Sequence, residues 1–215
     1  SAFPKDSVRE QLHHLSLVTG DVHLLIADFP DPTPGFVFSM SWSPDDTRLA
    51  FYYAPYPGAY DTRVLDLELY VVDLEGNIRR LAKRCRRGLL LDSDPWRGPV
   101  WSPDSKTVYF TANYDVEERI VAKRPSNGSW PPPEGYPCTY SVPADGGEVR
   151  KICLGSPMAI TPDGQHLYSF SYGGGTDPAT RAEVRLRVDL RSGKEERLGR
   201  DWVNPKLSPS GRLFA

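Results

Sequence analysis

The chain has 215 residues, of which 39% are hydrophobic and 25% are charged, and its formal net charge is −2. This balance indicates neither a nucleic-acid partner nor membrane insertion, because no apolar run approaches the roughly 20 residues of a transmembrane helix. The 21 Pro and 18 Gly residues favour short strands joined by turns over long helices.

The first predicted element is a hairpin in the segment LHHLSLVTGDVHLLI at 12–26. Its pattern is an apolar strand, a turn that contains glycine and a returning strand, and it occurs three more times. The later copies are LELYVVDLEGNIRRLA at 67–82, CTYSVPADGGEVRKIC at 138–153 and EVRLRVDLRSGKEERLG at 183–199. Because glycine allows the positive φ that a tight turn needs, each copy predicts a β-hairpin.

A second phrase precedes each of these later copies, beginning with SMSWSPDDTRLAFYYAP at 39–55. Proline presets one turn dihedral and the next polar side chain can bond to the backbone ahead, so the phrase predicts two strands around a tight corner. We expect Asp45, Asp104 and Asp163 to cap these turns. The other copies are GPVWSPDSKTVYFTANYD at 98–115, PMAITPDGQHLYSFSYGG at 157–174 and PKLSPSGRLFA at 205–215.

Four strands per repeat at this period are typical of a β-propeller blade. The predicted fold is therefore all-β: one domain over 1–215, built as a propeller of about four four-stranded antiparallel blades. The expected blades are 36–82, 98–153, 157–199 and a composite of 205–215 plus 12–26, which closes the ring by pairing open sheet edges. Two alternatives stay open: a fragment of a larger ring, or two chains that self-associate to share one ring.

The phrases WSPDDTRLAF…LYVVDLEGNIRRLA and TPDGQHLYSF…LRVDLRSGKEERL resemble TolB-like (WD-like) propeller repeats, and the pattern extends over nearly the whole chain. YSVPADGGEVRKI is also similar to propeller repeats that precede prolyl-oligopeptidase-type hydrolase domains. The resemblance implies a scaffold that binds proteins, peptides, sugars or metals, or that gates an attached enzyme. It alone favours an extracytoplasmic, periplasmic location. TolB-like propellers usually have six blades, so a count of four departs from the family.

The connections between strands have very unequal lengths, and the long ones are expected on one face of the propeller. They run over 54–65, 83–97, 112–137 and 172–182. Long connections without internal structure commonly bind something, and aromatic residues and arginine dominate binding hot spots. The expected partner-binding residues are Tyr56, Tyr60, Trp96, Arg97, Trp130, Tyr136, Tyr172 and Trp202. The structural alternative is that these side chains anchor the loops onto the blades.

Neither a catalytic set nor a metal site is predicted. A GxSxG nucleophile elbow is missing from the sequence, and no Ser/His/Asp set stands out. The spacing of His13, His14, His23 and His166 does not match a metal site, so neither metal nor cofactor is expected. The basic run 79–87 suits either an anion clamp or a solvated strand end. Trp42 and Trp101, which precede the corner turns, are expected to pack between blades.

The cysteines raise the question of a disulfide. Pairing Tyr140 with Lys151 across the turn of the 138–153 hairpin would place Cys138 opposite Cys153. Directly opposed residues have Cβ atoms about 4.5–5.5 Å apart, close to the distance that a disulfide needs. We therefore expect these two cysteines to lie close together, with Cys85 free. In a reducing compartment the pair would stay as thiols.

The leading functional hypothesis is a non-catalytic scaffold that binds a protein or peptide on the face with the long loops. The first alternative is an accessory domain that gates a prolyl-oligopeptidase-type hydrolase. The second is a carbohydrate-binding or lyase propeller, for which stacking of sugars on Tyr and Trp would suit the loops.

Overall fold

A computed structural model describes residues 11–26, 35–55, 64–88, 98–112, 138–171, 184–198, 206–207 and 213–214. Every element within these ranges is a β-strand, and none of these residues belongs to a helix that is long and apolar enough to cross a membrane. The strands are β1 Leu12–Leu15, β2 Val22–Ile26, β3 Gly35–Trp42, β4 Arg48–Pro55, β5 Val64–Asp73, β6 Ile78–Gly88, β7 Val100–Trp101, β8 Thr107–Ala112, β9 Cys138–Pro143, β10 Arg150–Leu154, β11 Ser156–Ile160, β12 His166–Ser171, β13 Val184–Asp189, β14 Glu195–Leu198, β15 Lys206–Leu207 and β16 Leu213–Phe214.

The strands form three antiparallel four-stranded sheets, in which neighbours in the chain are neighbours in the sheet. The first blade is β3–β6, the second is β7–β10 and the third is β11–β14. The prediction of an all-β fold with four-stranded antiparallel blades is thus confirmed. Two further sheets have only two strands each: β1–β2, called here the N-terminal hairpin, and β15–β16, the C-terminal hairpin.

The first and second blades each pack on a neighbour with both faces, because successive side chains along a strand point to opposite sides. One face of the first blade packs on the N-terminal hairpin through residues such as Phe51 and Val72. Its other face packs on the second blade, where Tyr52 and Leu69 join Phe110 in one cluster. The core between the second and third blades contains, among others, Tyr109, Cys153, Leu167, Leu186 and Val188.

The two hairpins do not form the expected composite blade: β1–β2 and β15–β16 are separate sheets. The N-terminal hairpin instead packs on the blade that follows it in the chain, through the buried side chains of Leu12, Leu25 and Ile26. Apolar burial against the adjacent blade, rather than pairing between strand edges, therefore holds this hairpin in place.

The corner turns share one geometry in all three blades. The fourth residue of each turn has a positive φ, 57° at Asp46, 59° at Ser105 and 70° at Gly164. The residue before it accepts hydrogen bonds within its own turn; in the first blade the carboxylate of Asp45 accepts from Ser43 Oγ at 2.6 Å and from Thr47 N at 3.2 Å.

The same capping occurs in the second and third blades, where Asp104 accepts from Ser102 Oγ and Asp163 from Thr161 Oγ1. The expectation that these aspartates cap their own turns is confirmed. The hydrogen bond from Ser43, followed by that from Thr47, lowers the pKa of Asp45 to about 2. Hydrogen bonds from the turn hydroxyls likewise lower the pKa of Asp104 and of Asp163.

The β5–β6 turn requires glycine for two reasons. Gly76 has a φ of 85°, in the region that disfavours residues with a Cβ. A Cβ there would also lie 2.8 Å from the carbonyl oxygen of Leu25 in the N-terminal hairpin. The turn of the first blade is therefore packed directly against the backbone of its neighbour.

The predicted register of the β9–β10 hairpin is right at one end and wrong at the other. Tyr140 lies opposite Lys151 as expected, but a bulge follows, and Cys153 then lies opposite Thr139. The bulge turns the two cysteines to opposite faces: Cys138 joins the core with the first blade and Cys153 the core with the third. Both are buried, as is Cys85, and none of the three cysteines forms a disulfide.

The two tryptophans before the corner turns have different environments. Trp101 is buried as expected, and its Nε1 donates a hydrogen bond to the carbonyl oxygen of Ser41 in the first blade at 2.9 Å. Trp42 is 39% exposed, with its ring centroid 5.4 Å from that of His14. The prediction of core packing is therefore wrong for Trp42, because the element in front of it is a two-stranded hairpin rather than a complete blade.

Candidate functional site

The two ends of the blades are built differently, and each is named here by its connections. The turn end carries the corner turns that contain Pro44, Pro103 and Pro162 and the β5–β6, β9–β10 and β13–β14 turns. The loop end is the opposite one, where the segments 56–63, 113–137 and 172–183 leave and rejoin the blades.

The residues expected to bind a partner all lie outside the described residues. They are Tyr56, Tyr60, Trp96, Arg97, Trp130, Tyr136, Tyr172 and Trp202. The strand ends next to them are described, and they are paired: Ala112 lies opposite Cys138, and Ser171 opposite Val184. The segments 113–137 and 172–183 therefore begin and end at fixed points only one strand spacing apart.

Polar side chains are buried just inside the loop end. They belong to Thr111, Thr139, Ser156, Ser169 and Arg185, and each is near the end of a strand next to a long connection or to the link between blades. Sequence reasoning missed them, because single Thr and Ser residues in an apolar strand match the usual alternation. They could have been found by aligning the repeats, because these polar residues occupy positions where other repeats carry Leu or Phe.

Two of these residues make hydrogen bonds across the junctions between blades, Thr111 through its backbone and Thr139 through its side chain. The two-residue strand β7 begins at Val100, opposite Tyr109, and so does not extend as far as Thr111. The backbone N–H of Thr111 instead donates to the hydroxyl of Tyr52 in the first blade at 2.8 Å. Thr139 Oγ1 donates to the carbonyl oxygen of Gly155 at 2.8 Å. Buried polar groups of this kind need partners, so these bonds make the blade junctions specific.

The link between the second and third blades is a single residue, Gly155, and it fits tightly. Its φ is 90°, and an added Cβ would lie 2.5 Å from the carbonyl oxygen of Phe170. Next to it, Ser169 Oγ donates to the carbonyl oxygen of Leu154 at 2.7 Å. Burial raises the pKa of the nearby Cys153 thiol to about 11, so this thiol stays protonated and unreactive at neutral pH.

One row across the third blade combines a buried charge with an unsatisfied hydroxyl. Ser156 lies opposite Phe170, which lies opposite Arg185. Ser156 and Arg185 are both buried, and the guanidinium carbon of Arg185 is 5.7 Å from the ring centroid of Phe170. Within the described part of the chain, Ser156 Oγ has no hydrogen-bond partner. A buried hydroxyl without a partner is costly to folding, so this row is a candidate contact for a bound group.

The turn end, in contrast, is held by contacts within the protein. The guanidinium of Arg48 in the first blade stacks over the Trp101 ring at 5.4 Å and donates to the carbonyl oxygen of Ser105 at 2.6 Å. It also forms a 3.0 Å ion pair with Asp145 at the β9–β10 turn. These contacts join two consecutive blades at the turn end.

The basic run 79–87 was expected to be either an anion clamp or a solvated strand end. Arg79 donates to the backbone carbonyl of Asp145, and Arg80 forms a 3.0 Å ion pair with Glu68. Burial and the adjacent Glu68 carboxylate, which accepts the hydroxyl of Tyr70 at 2.6 Å, raise the pKa of Tyr70. These two arginines therefore have partners within the protein, which favours the solvated strand end for this part of the run.

No metal centre emerges from the described side chains, which contain no group of three or more His, Cys, Asp or Glu suited to hold an ion. His14 and His23 lie opposite each other on the N-terminal hairpin, with ring centroids 6.3 Å apart.

Comparison with known proteins supports the fold. No family model matches the sequence, and no curated protein matches it. Among solved structures, TolB from Acinetobacter baumannii superposes with a TM-score of 0.55 at 20% identity, covering 94% of this chain and 41% of that chain. Oligogalacturonate lyase from Vibrio parahaemolyticus superposes with a TM-score of 0.56 at 18% identity, covering 94% and 51%.

A further neighbour is an oligogalacturonate lyase in complex with manganese, with a TM-score of 0.55 and 17% identity over 87% of this chain and 47% of that chain. The chain thus spans about half or less of the length of these solved structures. At such identities the likeness shows the fold alone, and the β-propeller fold predicted from the repeats is confirmed. Membership of a TolB-like repeat family stays a prediction.

Proposed function

We propose that this chain is a non-catalytic β-propeller scaffold that binds a protein or peptide at its loop end. The observation that carries the proposal is a contrast within the described residues: the turn-end side chains have partners in the protein, whereas the buried Ser156 hydroxyl at the loop end has none there. Binding sites commonly keep a few polar groups within apolar surroundings to orient a ligand.

The long connections strengthen the proposal through their composition. The segments 56–63, 89–97, 113–137 and 199–205 contain Tyr, Trp and Arg, the residue types that dominate binding hot spots. Rigid, paired strand ends are suitable supports for such loops, because function commonly resides in loops that a scaffold positions. The proposal includes an extracytoplasmic location, which only the resemblance to TolB-like repeats supports.

The test is a selection from a phage-displayed random peptide library on the immobilised chain, followed by affinity measurements with the recovered peptides. We expect Trp96→Ala and Trp130→Ala to weaken binding at least ten-fold while the melting temperature stays within about 2 °C of the wild type, as for surface substitutions. Arg79→Ala at the turn end is the control, and we expect it to leave the affinity unchanged.

Two results would reject this function. If the melting temperature falls for every aromatic substitution, including Tyr56→Ala and Trp202→Ala, these side chains are structural anchors for the loops. If no peptide is enriched but a parallel glycan array yields a ligand whose binding needs the same aromatic residues, the chain is a carbohydrate-binding propeller.

A further inference from the structure

The N-terminal hairpin exposes an apolar surface that does not belong to the loop end. The exposed fractions are 53% for Leu15, 92% for Leu17, 96% for Val18, 63% for Val22 and 48% for Leu24. Contiguous exposed apolar side chains on a protein surface commonly mark an interaction site.

The turn of this hairpin has the same backbone hydrogen bonds as the β13–β14 turn, which allows residue-by-residue comparison. Gly20 N donates to Ser16 O at 2.8 Å, and Gly193 N donates to Asp189 O at 2.8 Å. Ser16 and Asp189 are therefore equivalent, and β1 and β2 correspond to the third and fourth strands of a blade.

Leu15 occupies a position that is buried in every complete blade. Its equivalents are Val72, Val142 and Val188, which are 0%, 0% and 1% exposed. Each of these valines pairs with a residue of the second strand of its blade, as Leu167 pairs with Val188. Among the described strands, no residue of a second strand pairs with Leu15 in this way.

Leu24 shows the same contrast through its chemistry. The equivalent residues of the complete blades are Arg80, Lys151 and Arg197, each opposite the residue that corresponds to His13. All three are exposed and basic, as expected for the outer strand of a blade in water. Leu24 departs from this pattern and adds to the exposed apolar surface of the hairpin.

The same chain contains the missing type of strand pair. The C-terminal hairpin encloses the Ser208-Pro209 phrase, so β15 and β16 correspond to the first and second strands of a blade. The structure places this hairpin and the N-terminal hairpin in separate sheets. An isolated two-stranded hairpin is marginally stable, and unpaired strand edges are templates for pairing with another chain.

From these observations we infer that the N-terminal hairpin docks a second copy of this chain, with β16 of the copy pairing antiparallel to β1. The junction makes a complete four-stranded sheet and buries Leu15. Since each chain supplies both halves, two copies can form two such junctions related by a two-fold axis. This inference does not depend on the proposed function of the loop end.

The test measures the mass of the whole chain by sedimentation equilibrium over a wide concentration range. We expect a reversible dimer, and at least a ten-fold larger dissociation constant for Leu15→Lys, with circular dichroism to check that the hairpin keeps its fold. Leu24→Lys introduces a charge that three complete blades carry on their outer strand, away from the β1 junction, so it should leave the dissociation constant unchanged. Leu74→Lys, at an exposed leucine of the β5–β6 turn, is the control and should leave the dimer unchanged.

A mixing experiment identifies the strands that meet. Phe214→Pro removes a backbone N–H from β16, so we expect this variant to be monomeric when alone, as is Leu15→Lys. An equimolar mixture of the two variants retains one intact junction and should form a heterodimer. A wild-type chain that stays monomeric at every concentration overturns the inference, and so does a Phe214→Pro variant that dimerises as the wild type does.

Discussion

The turn end and the loop end of the same blades use polar residues in opposite ways. At the turn end, Asp45 and its equivalents accept hydrogen bonds within their own turns, and Arg48 joins the first blade to the second. At the loop end, short polar side chains are buried between strands, and Ser156 Oγ has no partner within the described residues. Both ends therefore hold neighbouring blades together, but the unsatisfied buried hydroxyl among the described residues lies at the loop end.

The largest expected effect on stability is at Gly155, where the second and third blades meet at the loop end. We expect Gly155→Ala to lower the free energy of unfolding by ~3 kcal/mol or more, because it combines a positive φ with a backbone clash. Gly193→Ala is the matched control: its φ is 72° but nothing lies within 4 Å of the new Cβ, so about 1 kcal/mol is expected. Urea unfolding measures both, and equal losses would contradict the packing at Gly155.

The next effect tests the contacts that join blades at the turn end. We expect Arg48→Ala to lower the free energy of unfolding by about 2 kcal/mol, since it removes a charged hydrogen bond and a cation–π contact. Arg79→Ala removes only one exposed contact to a backbone carbonyl, and less than about 0.5 kcal/mol is expected. Urea unfolding of the two variants compares them, and a loss for Arg79→Ala as large as for Arg48→Ala would show that Arg48 has no special role between the blades.

A smaller change in stability, of opposite sign, is expected for substitutions of two buried serines at the loop end. Ser169→Ala removes the donor to the carbonyl oxygen of Leu154, and we expect a loss of about 1 kcal/mol. Ser156→Ala removes a hydroxyl that has no partner among the described residues, and we expect a gain of up to ~1 kcal/mol. Thermal unfolding measures the signs directly. Destabilisation by Ser156→Ala would mean that its hydroxyl already has a role in the unliganded fold.

The smallest expected effect is the pH dependence of stability that the Asp45 carboxyl at the turn end contributes in acid. The carboxyl of Asp45 has a pKa lowered to about 2 in the folded state, against about 3.9 in an unfolded chain. A lowered pKa stabilises the fold above the unfolded value, and that contribution is lost as the pH falls from about 4 to about 2. We expect an NMR titration of the Asp45 carboxyl to give a midpoint near 2. A midpoint above about 3.5 would contradict the capping geometry.

Features that depend on interactions between residues close in the sequence were predicted correctly, and features that depend on contacts between distant segments were not. The corner turns were predictable because Pro44, Asp45 and the positive-φ residue act within one turn. The burial of Trp101 followed from the repeat, whereas the exposure of Trp42 depends on what precedes the first blade. The packing of the N-terminal hairpin on the first blade, in place of pairing with β15–β16, likewise depends on contacts between distant segments.

The β9–β10 register shows the same limit in one hairpin. Pairing near the turn, between Tyr140 and Lys151, follows from the turn itself. The bulge beyond it adds one residue and moves Cys153 to the face that packs on the third blade. A bulge of this kind is set by packing against a neighbouring sheet, so the alternation within the hairpin alone did not reveal it. The buried polar residues of the loop end escaped prediction for a related reason: their partners belong to other strands.

The separate cores on the two faces of the second blade affect how its strands unfold locally. The second blade contributes one face to the core with the first blade and the other face to the core with the third. Exchange of the amide protons of β8 and β9 with solvent deuterium therefore requires both cores to open together, close to global unfolding. The N-terminal hairpin contributes only its inner face to one core, and its amides exchange through local fraying. We therefore expect amide exchange to be slower in the second blade than in the N-terminal hairpin.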